Sequence, residues 1–569
     1  MVSRKREHPL SRRTRQWRTL AAFGLLIVLA VSHAGCFGDE APATYYGKVV
    51  VPRAQEFRWS DGGIPQTFDP AFAAAPPDTD AVRALFEGLT DYDPKTLQPI
   101  PGVATRWEST SDNRIWTFYL REDARWSNGE PVTAADFVRS WDRTFRIGQL
   151  APHTELLANI ESTLSESGRE KTNREPTPGA TPSPFGTSRL DVEAVGDHVL
   201  RVRLRRPDPG FPSLVAHPVF RPVKIAEPSQ TRRLEPPDLV FNGAFLLAAT
   251  QPDRVLLERA KTYWDGESVS LQRVAFVNSP NAEVALAAYH AGDIDAVTSA
   301  AFEPLALKLL APYKDFRRST FGALTYYSFN TARVPFDDVR VREALAISID
   351  RERVSRNDLG GATEAAGKFL PSQMSGGEPV VAKTEVLEQD IERARSMLAE
   401  AGYPNGKGFP VIRLLINRNE QQKTVAQSIA AMWKNALGIE TEVVIKYWDE
   451  YEIALRTGEY DVVRRGVVMQ TPDELTNLRL LFPMDRAQAT NASPTNAANS
   501  ASAVMAGKSE VTAIDSESQA LKELKAMPIY FASSYSLVKP YVSGFDANVL
   551  DAPSLKRTSI NTSWTQPKP

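Results

Sequence analysis

Residues 85–141 read LFEGLTDYDPKTLQPIPGVATRWESTSDNRIWTFYLREDARWSNGEPVTAADFVRSW. The run opens on the end of a helix. In TDAVRALFEGL, Val82, Leu85, Phe86 and Leu89 share one helical face, behind a cap expected at Thr79/Asp80. RIWTFYLRE then alternates as a strand does, and Asn128-Gly129 marks the turn after it. In VTAADFVRSWDRTF, Thr133 and Asp136 have capping-box spacing at the start of a further helix. Strands and helices interleaved at this density point to a mixed α/β architecture.

Far upstream, the chain begins with the basic MVSRKREHPLSRRTRQWR, followed by the apolar LAAFGLLIVLAVS. That run is shorter than the ~20 residues a spanning helix needs, and has the length of an export signal. It ends in HAGC, where Ala34 and Gly35 before Cys36 resemble a bacterial lipoprotein box, although His33 stands where Leu or Val is usual. Cys36 is therefore expected to become the lipidated first mature residue, anchoring the protein to a membrane. Ordinary secretion, with Cys36 in the discarded segment, is the alternative.

A chain of 569 residues is too long for one ordinary core, so two or three domains are expected. Lys+Arg 67 against Asp+Glu 69 leaves a net charge of -2, with no basic footprint for nucleic acid. One Cys excludes an intramolecular disulfide and, lying in the export signal, thiol catalysis. The six His form no HExxH or other ligand-spaced pair, and GxxxxGK[ST], GxGxxG and GxSxG are absent. No cofactor, metal or enzyme activity is called for by these residues.

The remaining chain alternates. YGKVVVPRAQEFRW, residues 46–59, reads as a strand entering the fold, and AEVALAAYHAG as a helix stopped by Gly292. VREALAISIDRERV is a further helix, and DIERARSMLAEAG and VAQSIAAMWKNALG end at Gly402 and Gly438. VIRLLIN and ETEVVIKYW supply strands in βαβ fashion, and MPIYFASSYSLVKPYVSGF returns to strand pattern. Residues 168–187 form a Pro/Thr/Ser/Gly loop, and 487–518 is a weakly patterned, low-complexity region.

Residues 85–141, with NGAFLL...LLERAKTYWDG, YYSFNTARVPFDDVRVREALAISIDRERV, AEAGYPNGKGFP and the C-terminal MPIYFASSYSLVKPYVSGF, resemble the oligopeptide/dipeptide-binding proteins (family 5) that serve bacterial ABC importers. The likeness is collinear over roughly residues 50–560. It implies an α/β, two-lobed periplasmic-binding-protein fold (type II, cluster C) with an extra domain inserted in the first lobe. The expected layout is a signal at 1–36, a tether at 37–47, and a first lobe from 48–76, 223–322 and 523–569. The inserted domain would occupy 77–222 and the second lobe 323–522. The resemblance implies a monomeric binding protein, with a peptide or peptide-like ligand and a membrane permease as partners. A degenerate member acting as a sensor or structural envelope lipoprotein, or a receptor for a non-peptide ligand, is the alternative.

It also nominates a site around YDVVRRGVVMQTPDEL, residues 460–475, read as a strand over Val462–Met469 running into a polar turn. In relatives an Asp stands at the position of Gln470 and receives the ligand's ammonium, and some carry a Glu at the position of Ile64. Both departures remove negative charge, leaving Arg464 and Arg465 to dominate and favouring blocked or anionic ligands. Trp448 would wall a side-chain pocket, and Arg464 would meet a carboxylate. Thr471 and Asp473 lie in the turn, where Asp473 could supply the missing charge. Tyr326 and Tyr327 start the strand crossing between lobes.

Overall fold

The computed structural model describes residues 45–164, 188–374, 386–482 and 514–566. Cys36 with its export signal, the loop 168–187 and most of the 487–518 region lie outside the described residues.

The longest strands, Phe316–Phe329 and Ala526–Val538, pair antiparallel at the centre of an 11-stranded sheet. On one side of them lie Ala296–Thr298, Glu56–Asp61, Arg273–Val277, Arg254–Arg259 and Phe245–Thr250. On the other lie Val462–Val468, Ile412–Asn417 and Thr441–Lys446. Ala526–Val538 is apolar at each end and polar in the middle, so it can serve a core on either side. Their pairing breaks register between Thr320 and Leu324, where Gly322 turns its backbone outward. Gly322 N–H donates to Val549 O at 2.7 Å, and Met469 N–H donates to Gly322 O at 2.8 Å. A β-carbon at Gly322 would lie 3.1 Å from Val549 O, so the close approach favours glycine. The expected lobe boundary at 322/323 thus falls inside one continuous strand, at its irregularity.

Beyond the centre, Ile412–Asn417, the helix Glu420–Leu437 and Thr441–Lys446 make the expected parallel βαβ unit. The Asn419 side chain caps that helix through Gln422 N–H at 3.0 Å, and Gly438 ends it at φ 73°. A separate four-stranded sheet combines Ala104–Ser109, Ile115–Leu120, Val199–Arg203 and Val192–Ala194. The helix Ala134–Ile147 packs on it, begun by the Thr133/Asp136 capping box. This helix is tied to the loop after Glu56–Asp61 by Arg143, which grips Asp69 at 3.0 and 2.5 Å with both side chains buried.

Three expectations shift. Only Glu56–Asp61 of the 46–59 stretch is a strand. Its earlier residues dock instead on a turn and a helix end, Tyr46 N–H on Asp315 at 2.9 Å and Lys48 N–H on His290 O at 2.8 Å. The helix at 79–89 begins earlier, as Asp78–Leu85 after Pro77, so Thr79 and Asp80 sit in its first turn and cap nothing. The strand at 462 ends at Val468, because Met469 turns its amide to Gly322.

Candidate functional site

The same register break that bends the central strands also builds the site. Through Gly322 it holds Val549 and Met469 together, and hence brings Asp551 near Gln470. A cavity of about 400 Å³ opens there. Arg83, Ser299 and Asp551 line it from the side of Glu56–Asp61, and Phe321, Gln470 and Tyr535 from the central strands and the turn after Val468. His217 closes a further side.

His217 fixes the Gln470 amide. Its Nδ1 accepts the Val219 N–H at 3.2 Å, so the neutral ring carries its proton on Nε2 and can donate to Gln470. Burial, with His153, Arg83 and Arg221 close by, holds the imidazole well below its ordinary pKa. The Gln470 Nε2 meanwhile donates to Val468 O at 3.3 Å. The amide is therefore oriented by protein partners on both ends.

Behind the wall lies a cluster of acids. The Asp61 carboxylate accepts from Thr298 Oγ1 at 2.7 Å, and Asp80 pairs with Arg83 at 3.3 Å. Asp61 and Asp80 are 1% and 2% exposed, and their carboxyl groups hydrogen-bond each other. Burial raises both pKa values, that of Asp80 with help from the Asp61 charge. Asp551, on the cavity wall, is pushed up to about 6 by burial, against a lowering contact with Ser534.

The residues nominated from sequence separate into groups. Gln470 lines the cavity. Thr471 is buried in the turn, accepting Asp473 N–H at 3.2 Å on its hydroxyl and Asn477 Nδ2–H at 2.8 Å on its carbonyl. Asp473 is not a cavity residue: it caps the helix Glu474–Leu481 through Thr476 N–H at 2.7 Å. Its carboxylate also abuts Gly210, where a β-carbon would fall 1.8 Å from Oδ1. Those contacts hold its carboxylate away from the cavity lining. Ile64 packs partly buried against the apolar core beside Glu56–Asp61.

Tyr326 and Tyr327, 1% and 0% exposed, belong to cores on opposite faces of the strand. Trp448 is 60% exposed and stacks on Tyr451 at 5.5 Å. The Tyr451 hydroxyl donates to Arg464 O, linking Trp448 to the strand. Arg464 Nη2 reaches Thr325 Oγ1 at 3.4 Å, and neither Arg464 nor Arg465 has a carboxylate partner among the described residues. Trp448, Tyr451 and Arg464 thus form a group of their own, separate from the cavity lining.

The chain matches the pattern of the bacterial extracellular solute-binding proteins, family 5, over residues 98–488. It is 32% identical to the periplasmic murein peptide-binding protein MppA of Escherichia coli K12 over 511 residues, 87% of this chain and 91% of the relative. The chain belongs to this family. Among solved family structures, an unliganded open form of the murein tripeptide-binding protein MppA superposes with a TM-score of 0.71 at 30% identity, covering 90% of this chain and 98% of that one. The Haemophilus influenzae OppA complex with RPPGFSPFR gives 0.56 at 28% identity, covering 90% of this chain and all (100%) of that one. The two-lobed α/β architecture is therefore that of the family.

Arg83, His217 and Asp551 were not nominated from sequence. None stands in a recognisable motif, and they come from separate parts of the chain. The acids absent at 64 and 470 are visible in the sequence. The acid at 551 becomes a cavity residue only through the Gly322–Val549 contact.

Proposed function

We propose that this protein is the ligand-capturing receptor of an ABC importer for peptides or peptide-like compounds, and that it closes by hinge motion and delivers its ligand to a membrane permease. The observation that carries this reading is the cavity at the register break, walled from both sides of the two central strands in a family of binding proteins. Two strands crossing between lobes make a natural hinge, since rotation there moves one wall toward the other without breaking either core. The names of MppA and of the OppA complex support a peptide-like ligand. The work is capture and release, with no bond chemistry.

Export to the periplasm or cell envelope, with an anchor at Cys36, completes the proposal; MppA is named as periplasmic. The nine residues between Cys36 and Tyr46 allow a reach of at most about 35 Å, keeping the receptor close to a membrane. Closure is testable by small-angle scattering with a mixture of tri- to pentapeptides. The radius of gyration should fall on saturation. An unchanged profile under conditions where binding is seen calorimetrically would contradict a closing receptor and favour a sensor or scaffold.

A further inference from the structure

We propose that Asp551 is a specificity-determining residue that receives a primary ammonium group of the ligand on the cavity wall. The inference rests on the cavity being the ligand site. Asp551, Asp61 and Asp80 lie in mutual electrostatic reach, and Arg83 is the cation acting on all three. The groups around them come from four elements: Asp61 on its strand, Asp80 and Arg83 on the helix Asp78–Leu85, Thr298 and Ser299 at the end of Ala296–Thr298, and Ser534 on Ala526–Val538.

Of these acids, Asp551 and not Asp61 or Asp80 lines the large cavity, with Arg83 beside it. Asp80 and Arg83 also line a small adjoining cavity of about 30 Å³. Asp61 and Asp80 hydrogen-bond each other and share Arg83, so these two acids are paired within the wall, whereas Asp551 faces the cavity. A cation would pair with the Asp551 carboxylate on the wall, where an anion would be repelled by it. Gln470, held by His217 and Val468, offers no competing charge. Arg83 already faces Asp80, so it neutralises only part of the cluster.

The shared chemistry is a primary ammonium, supplied by a peptide's N-terminus or by a lysine side chain. Binding should be measured calorimetrically at pH 7.5 with trialanine, N-acetyl-trialanine and N-acetyl-Ala-Lys-Ala, on wild type and Asp551→Asn. Asp551 has φ 51°, a left-handed backbone that asparagine also tolerates, so this variant is expected to fold. Trialanine should bind wild type at least 30-fold more tightly than its acetylated form, and the variant should lose that preference. If N-acetyl-Ala-Lys-Ala shows the Asp551-dependent gain and trialanine does not, the ammonium comes from the side chain. The gain should weaken about tenfold from pH 7.5 to 5, as Asp551 protonates.

Equal affinity of wild type for all three peptides overturns the proposal and leaves the peptide-receptor reading standing. So does an Asp551-independent preference. Failure of all three to bind overturns both.

Discussion

Replacing Arg143 with alanine is expected to destabilise the protein by about 3–5 kcal/mol, the usual cost of stranding one member of a buried ion pair. Arg143 meets both oxygens of Asp69, and its Nε and Nη2 also donate to Gln230 O at 2.7 Å and Arg232 O at 2.9 Å. Without it, Asp69 keeps only the N–H groups of Ala71 and Leu234, at 3.1 and 2.8 Å, in a site that excludes water. Lysine should recover only part of the loss, because it cannot reproduce the planar, two-pronged grip. Chemical denaturation followed by circular dichroism would measure both variants. A cost below about 1 kcal/mol for the alanine variant would mean that this pair does not tie the helix Ala134–Ile147 to the large sheet.

The second large effect has the opposite sign. Asp208→Asn is expected to stabilise the protein at pH 8 and to do little at pH 4. Asp208 is buried against Asp473; burial first, and then that charge, push its pKa up to about 7. A carboxyl raised on folding favours the native state fully below its unfolded pKa, and that contribution is lost as pH rises through the folded value. Between pH 4 and 8 the wild type should therefore lose about 2–4 kcal/mol at this contact. Asparagine keeps an acceptor for Gly210 N–H, which Asp208 Oδ1 holds at 3.0 Å, and carries no charge. Thermal melts of both proteins at the two pH values decide it. Parallel pH profiles would show that the Asp208–Asp473 contact does not govern this pH range.

The fold was legible because its signals are local. Thr133 and Asp136 form the capping box their spacing implied, and Gly292 and Gly438 end helices in the left-handed conformation that favours glycine. The site was less legible, because its walls are assembled by contacts distant in sequence. Gln470 could be placed by its position after a recognisable strand, whereas Asp551 depends on a carbonyl two residues earlier meeting Gly322. Asp473 shows the reverse problem. It looked like a spare charge near Gln470, but Asp473 followed by Glu474 and Leu475 is also a helix start, and capping claims its carboxylate. Tyr326 and Tyr327 read as crossing-strand residues, and a strand covered on both faces buries both.

The central claim is that the cavity captures peptide-like ligands. Its most direct test is native mass spectrometry of the protein begun after Cys36 and purified from a bacterial periplasm, weighing whatever remains bound. The account predicts a ladder of adduct masses matching short peptides, removable by partial unfolding and restored by adding tri- to pentapeptides. A single non-peptide mass, or a protein that takes up no peptide when supplied, would contradict it.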